Sequence, residues 1–275
     1  ITLVSLARAG TPVGVILGHL LRQVFQRECR HYSVSIIRDR GIDANALKHI
    51  LAQGHAPESI VFVDGWTGKG VISRELRQTV NDFNAANGTA IDGGLFVLAD
   101  LAGTAACAAS ASDYLIPSSI LNATVSGLVS RSVLNDAIGP DDFHGCVYYA
   151  QFEQHDQSRA FADGLVADAM AIAASSGIPL AEASDAPAMA ARSQAYMAAA
   201  QQQYGISDIN LIKPGIGEAT RVLLRRVPER LIVRDTNAPD VAHLLLLAQE
   251  KAIPVTVEPA LPYQAVALIR SAVDG

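Results

Sequence analysis

The chain has 275 residues, of which 50% are hydrophobic and 17% charged, and its net charge is −6 from 21 basic and 27 acidic side chains. This length exceeds one average domain and suits two, and the apolar content excludes a disordered chain. The acidic balance argues against wholesale attraction to nucleic acid but not against a local basic patch.

The chain opens on Ile1, and "ITLVSLA" (1–7) already has the pattern of a core strand, so the sequence is read as lacking upstream residues. Gly10 and Pro12 lead into a helix-period run from Val13 to Gln26. "YSVSII" (32–37) is the next strand and "DANALKHILAQ" the next helix. "SIVFVD" (59–64), a glycine turn and the helix "ISRELRQTVNDFNAA" follow. "GLFVLAD" (94–100) and the weaker "DYLIP" (113–117) complete the series. Near-continuous apolar strands separated by helices predict an α/β fold, a doubly wound, mostly parallel sheet covered on both faces.

From Ser158 to Tyr204 the chain is Ala-rich and predicts two or more helices, broken at Gly177–Pro179 and Pro187. Beyond it a second alternation begins: "INLIKPG", "GEATRVLLRRV", "RLIVRD", "APDVAHLLLLAQEKA", "PVTVEP" and "YQAVALIRSAV". The expected division is a first domain over 1–157, a helical region over 158–204 and a small α/β domain over 205–275. No apolar run reaches membrane-spanning length uninterrupted, so a cytoplasmic location without a membrane partner is expected. Oligomeric assembly is left open.

In doubly wound sheets ligands bind outside the carboxyl ends of the strands, which directs attention to the turns after Ala7, Ile37, Asp64 and Asp100. In "VFVDGWTGKG", amides from Thr67 to Gly70 can converge on an anion at the start of a helix, and Asp64 can accept hydrogen bonds from sugar hydroxyls. Trp66, Gly68 and Lys69 complete that turn. The alternative is an ordinary strand-to-helix turn that uses glycines for tightness, and the spacing is not that of a P-loop. "LARAGTPVG" places Arg8 in a second glycine turn, where a guanidinium pairs with phosphate in a bidentate way. Asp39, between Arg38 and Arg40, faces the same strand ends, as does Asp100. The hydroxyl-rich segment 118–131 could contact a ligand or form an edge and turn.

"VSLARAGTPVGVILGHLL" and "IVFVDGWTGKG" resemble the pyrophosphate loop and the phosphoribosyl-pyrophosphate (PRPP) motif of type I phosphoribosyltransferases, over roughly residues 1–135. The resemblance implies that Asp64 holds the ribose hydroxyls and a magnesium ion, that Thr67 to Gly70 cradle the 5′-phosphate, and that Gly65 and Trp66 belong to the same substrate site. It places Ala7, Arg8, Ala9 and Gly10 at the pyrophosphate and makes Asp64 and Arg8 the catalytic pair. The implied partner is a phosphorylated ribose or nucleotide-like small molecule, the cofactor Mg²⁺. Gly65 stands where the family has a second acid.

"KPGIGEATRVLLRRVPERLIVRDTNAPDVAHLLLLAQEKAIPVTV" resembles the Pelota-type RNA-binding fold. That resemblance implies structured RNA as a partner, touched by Lys213, Gly215, Gly217, Glu218 and Arg221. The two domains together resemble a bacterial family of tellurium-resistance and stress operons, often labelled cysteine protease StiP. The sequence motifs favour phosphoribosyl transfer in nucleotide metabolism over the chemistry of that label. A nucleotide-sensing RNA-binding regulator without turnover is a second reading. A cysteine protease is the third: "FHGCVYYAQFEQHDQSR" (143–159) sets Cys146 two residues from His144, although a nucleophile needs a base held in place by the fold. The three cysteines, Cys29, Cys107 and Cys146, are far apart and suggest neither a disulfide framework nor a zinc site.

Overall fold

The computed structural model describes residues 1–120, 123–178 and 185–269. Pro179, part of an expected helix break, residues 121–122 of the hydroxyl-rich segment and the end of the last apolar run lie outside the described residues.

The first sheet holds β1 (Thr2–Ala7), β2 (Arg30–Ile37), β3 (Gly41–Ile42), β4 (Ile60–Thr67), β5 (Leu95–Asp100) and β6 (Cys107–Ser110). Its spatial order is β3-β2-β1-β4-β5-β6, with every pairing parallel except that of β3 with β2. Five successive residues of β1 are buried, as a strand covered on both faces requires. The covering helices are α1 (Thr11–Gln23), α2 (Ala44–Ala52) and α3 (Val71–Asn87). Val4, Leu6, Phe62, Leu76, Val80 and Leu95 form the centre of the core, each contributing about 1.5–3 kcal/mol by leaving water. The strand order reverses between β1 and β4, so the turns that follow these strands meet at one crevice.

Two helices follow, α4 (Ser158–Ser176) and α5 (Ala186–Tyr204), as the Ala-rich stretch predicts. α4 packs along α1. α5 belongs to the second core, where Met197 and Ala200 meet Ile206, Tyr263 and Leu268. The buried hydroxyls of Ser193 and Tyr263 lie 2.6 Å apart and fasten that helix.

The second sheet contains β7 (Ile212–Pro214), β8 (Pro228–Val233), β9 (Val255–Val257) and β10 (Ala265–Ile269) in the order β7-β10-β8-β9. It is mixed: β10 runs antiparallel to β7 and β8, while β9 is parallel to β8. α6 (Ile216–Arg225) and α7 (Ala242–Glu250) cover it through Val222, Leu223 and Leu244.

The two sheets are joined by specific contacts. The Asp113 carboxylate accepts from the Ile216 amide at 2.8 Å and from the Gln264 amide at 2.9 Å. The Trp66 ring lies against the backbone of α6, so that a Cβ at Gly217 would sit 3.2 Å from it. The Lys69 ammonium donates to the Ile212 carbonyl at 3.1 Å and the Ile209 carbonyl at 3.3 Å.

Several expected elements shift. β4 runs on through Trp66 and Thr67, which pair with Ala99 and Asp100, so the glycine turn starts later than expected. "DYLIP" forms no strand; its Asp113 is spent on the second unit, and Pro117 opens a short 3-10 turn. The edge strands β3 and β6 were not foreseen. β3 has two residues, and the sequence "CAAS" of β6 lacks the branched and aromatic side chains that mark strands.

Candidate active site

Between β6 and α4 the chain builds a twisted hairpin over the carboxyl ends of β1 and β2. Val133 and Gly145 exchange both backbone hydrogen bonds, at 2.7 and 2.9 Å, and the Tyr149 amide donates to the Leu128 carbonyl at 2.7 Å. The Ser130 amide donates to the Val147 carbonyl, and the Val147 amide donates in turn to the Ser130 hydroxyl. The tip docks on α2, where the Asn45 side-chain amide donates to the Pro140 and Asp142 carbonyls, both at 2.8 Å.

Asp43 anchors this hairpin. One carboxylate oxygen accepts from the Ala46 amide at 3.0 Å and caps α2; the other accepts from the His144 amide at 2.7 Å. The backbone of His144 is thereby fixed at the start of the returning hairpin strand, with Cys146 two residues on. Residues two apart in an extended strand share a face, and His144 and Cys146 both line one pocket of about 370 Å³. Ser35, Ser132, Asp43 and His49 line it too.

The His144 ring is oriented by β2. Ser35 Oγ lies 2.9 Å from His144 Nδ1 and donates its own proton to Ser132 Oγ at 2.6 Å. A hydroxyl has one hydrogen, so the ring contact is a donation from Nδ1–H to Ser35, which leaves Nε2 of the neutral ring with its lone pair. An imidazole held by a third group with Nε2 available is what a thiol nucleophile needs as its base. His49 meets Phe143 edge-on at 5.7 Å.

The other two cysteines lack such surroundings. Cys29 is buried beneath α1 and its thiol donates to the Arg30 carbonyl at 3.5 Å. Cys107 is exposed on the edge strand β6. Cys29 shares a surface hollow with His55, whose ring is already held by Thr2 and Tyr32 at 3.0 and 2.9 Å.

The two glycine turns do meet. A Cβ at Gly10 would sit 2.7 Å from the Val63 carbonyl and 3.0 Å from the Asp64 Cα, which is why glycine stands there. The contents of the crevice are largely committed to the protein itself. Asp64 accepts from the Gly65 amide at 2.7 Å, and burial pushes its carboxyl up to about 7. Thr67 Oγ1 accepts from the Gly70 amide at 3.0 Å, closing the turn on itself. Thr104 covers Gly70, and Trp66 covers Gly68. Lys69 is bound to second-unit carbonyls, and burial first, then Lys213, pushes its ammonium down to about 8. Asp100 accepts from the amides of Ala102, Thr104 and Ala105 and so shapes its own loop. Among the described residues no three His, Cys, Asp or Glu side chains come together as a metal cage. Asp39 is exposed and pairs with Arg38 at 4.0 Å.

Arg8 is buried, and its guanidinium donates to the Val129 carbonyl at the base of the hairpin. Burial lowers its pKa; Tyr149 opposes this, while the charges of Arg225, Arg131 and Arg221 act with it. In the second unit, Glu218 pairs with Arg221 at 2.6 Å and with Lys213 at 3.9 Å. Gly215 and Gly217 are buried against Trp66.

Residues 1–166 match the family described as tellurite-like stress resistance cysteine protease StiP, and residues 191–271 match the PELOTA RNA binding domain. The cysteine protease StiP of Acinetobacter baylyi (strain ATCC 33305 / BD413 / ADP1) is 42% identical over 282 residues, covering 98% of this chain and 72% of that protein. No solved structure matches. The match over residues 1–166 and the Acinetobacter relative overturn the expected phosphoribosyltransferase and its place in nucleotide metabolism, because both name a cysteine protease. The motif that suggested PRPP is a strand end and turn which the second unit covers. The cysteine protease reading replaces it. The sequence alone did not point to Ser35, Asp43 or Ser132: Ser35 reaches the His144 ring across 109 residues and Ser132 across 97, and Asp43 reaches the His144 amide across 101. The chain belongs to the StiP family of tellurite-like stress resistance cysteine proteases.

Proposed function

We propose that this chain hydrolyses peptide bonds with Cys146 as nucleophile and His144 as its base. The observation that carries the reading is the Ser35–His144 contact of 2.9 Å beside Cys146 in one pocket. His144 Nε2 takes the thiol proton as the sulfur attacks the scissile carbonyl carbon. The imidazolium then gives that proton to the departing amine, leaving a thioester on Cys146. A water, deprotonated by the same Nε2, attacks the thioester and releases the acid and the thiol. Ser35 keeps the ring in the tautomer this cycle requires.

The family name and the relative's name support protease chemistry. The match over residues 191–271 supports RNA binding by the second unit. The test compares cleavage of an unfolded protein substrate by the full chain with that of Cys146→Ala, Cys29→Ala and Cys107→Ala. Activity should vanish only in the first. Full activity in Cys146→Ala would overturn the assignment.

A further inference from the structure

A strongly basic surface lies between the two units. Arg8, Arg131, Tyr149, Phe152 and Arg225 line a cleft of about 940 Å³. A second hollow, of about 620 Å³, is lined by Lys213, Arg221 and Arg226, and shares Arg131 and Arg225 with the first. The two hollows therefore form one tract, along which Glu218 is the one acid among the described lining residues. In a chain of net charge −6, basic side chains gathered this closely repel one another at a cost that a bound polyanion offsets. The mutual effect is present at Arg8, where Arg225, Arg131 and Arg221 all act on the guanidinium.

Three details choose among polyanions. Arg221 and Arg225 lie one helical turn apart on α6, about 6 Å along its axis, and present a row of charge and not a single point. Tyr149 and Phe152, with ring centroids 5.8 Å apart, sit at the end of the tract, and Phe152 is 42% exposed. Aromatic faces next to arginines bind unstacked bases and their phosphates. Finally, the glycine-rich start of α6 is sealed by Trp66, so a strand approaching α6 meets its arginine side instead.

We infer that a single-stranded stretch of RNA lies in this tract, its phosphates on Arg131, Arg225 and Arg221 and a base against Phe152. The site is composite: Arg8, Arg131 and the aromatics come from the first unit, and the α6 arginines from the second. It rests on the reading of the second unit as RNA-binding, and adds where the RNA runs. The strand would lie on the 129–133 segment, whose Ser130 and Ser132 also line the Cys146 pocket.

The experiment is fluorescence anisotropy of a short, labelled, mixed-sequence single-stranded RNA with the full chain, over a range of salt concentrations. Arg131→Glu and Phe152→Ala are made at exposed positions. Each is expected to weaken binding about tenfold or more. Arg131→Glu should also flatten the salt dependence by about 0.7 in logarithmic slope, for one lost phosphate contact. If the wild-type chain binds RNA and both variants bind equally well, RNA uses the second unit alone; the tract is overturned and the RNA-binding reading stands. If the chain binds no RNA at low salt, both fall. If poly-glutamate binds in an Arg131-dependent manner and RNA does not, the occupant is an acidic polypeptide and the inference is wrong.

Discussion

The ring of His144 and the hydroxyl of Ser35 meet at 2.9 Å across 109 residues of sequence, and that contact sets which imidazole nitrogen faces outward. Replacing Ser35 by alanine removes the acceptor for Nδ1–H and lets the ring choose the other tautomer. Ser35→Ala should therefore lower kcat about tenfold to a hundredfold with little change in KM. His144→Ala should lose more, on the order of 10²–10⁴, as expected for a general base. Steady-state kinetics on one peptide substrate separates the two effects. A rise in KM alone in Ser35→Ala would contradict a positioning role.

Asp43 ties the start of α2 to the backbone of His144. Asp43→Ala removes a helix cap and leaves a part-buried amide unsatisfied, at a combined cost of about 2–3 kcal/mol. Asp43→Asn keeps one oxygen for the cap and should recover part of that loss. Chemical denaturation followed by circular dichroism measures both.

Asp64 makes the stability depend on pH in the less familiar direction. Burial raises its carboxyl to about 7 in the folded chain against an ordinary value of 3.8, so the folded state holds a proton that the unfolded state has released between these values. Stability contributed by this group is full below pH 4 and is lost as pH rises through 7. Asp64→Asn should remove that loss and make the protein more stable than wild type at pH 8, by on the order of 2 kcal/mol. Thermal melts at pH 5 and pH 8 decide it; an equal response of both proteins to pH would refute the assignment.

Trp66 closes the joint over Gly215 and Gly217. Trp66→Ala should cost about 2–4 kcal/mol and split a single melting transition into two, because the two sheets lose their largest shared side chain. Differential scanning calorimetry would show the separation. One unshifted transition would show that the joint does not depend on the indole.

The strand-and-helix alternation of both units was legible in the sequence because its cause is local: apolar periodicity and the Gly, Pro and Asp signals at the ends. The strand "SIVFVD" and the paired helices of the Ala-rich stretch stand where the pattern puts them, within a few residues. "CAAS" was missed because an alanine-rich edge strand carries no periodic signal, and "DYLIP" misled because its apolar residues serve a joint between units. The site was harder still. The glycines and acid of "VFVDGWTGKG" resemble an anion cradle locally, but whether Trp66 and Lys69 face a ligand or a neighbouring helix is decided by residues 140 or more positions away. Cys146 and His144 were visible as a pair two apart. Ser35, which makes the histidine useful, comes from β2, where "SVS" shows only alternating small hydroxyls.

The Asp113 carboxylate, held by two amides of the second unit, has a mechanical consequence. Any opening between the units would strip both amides from a buried carboxylate and pull Lys69 from its carbonyls at the same time. Separating the two sheets therefore costs several buried hydrogen bonds at once, and the joint resists being opened one contact at a time.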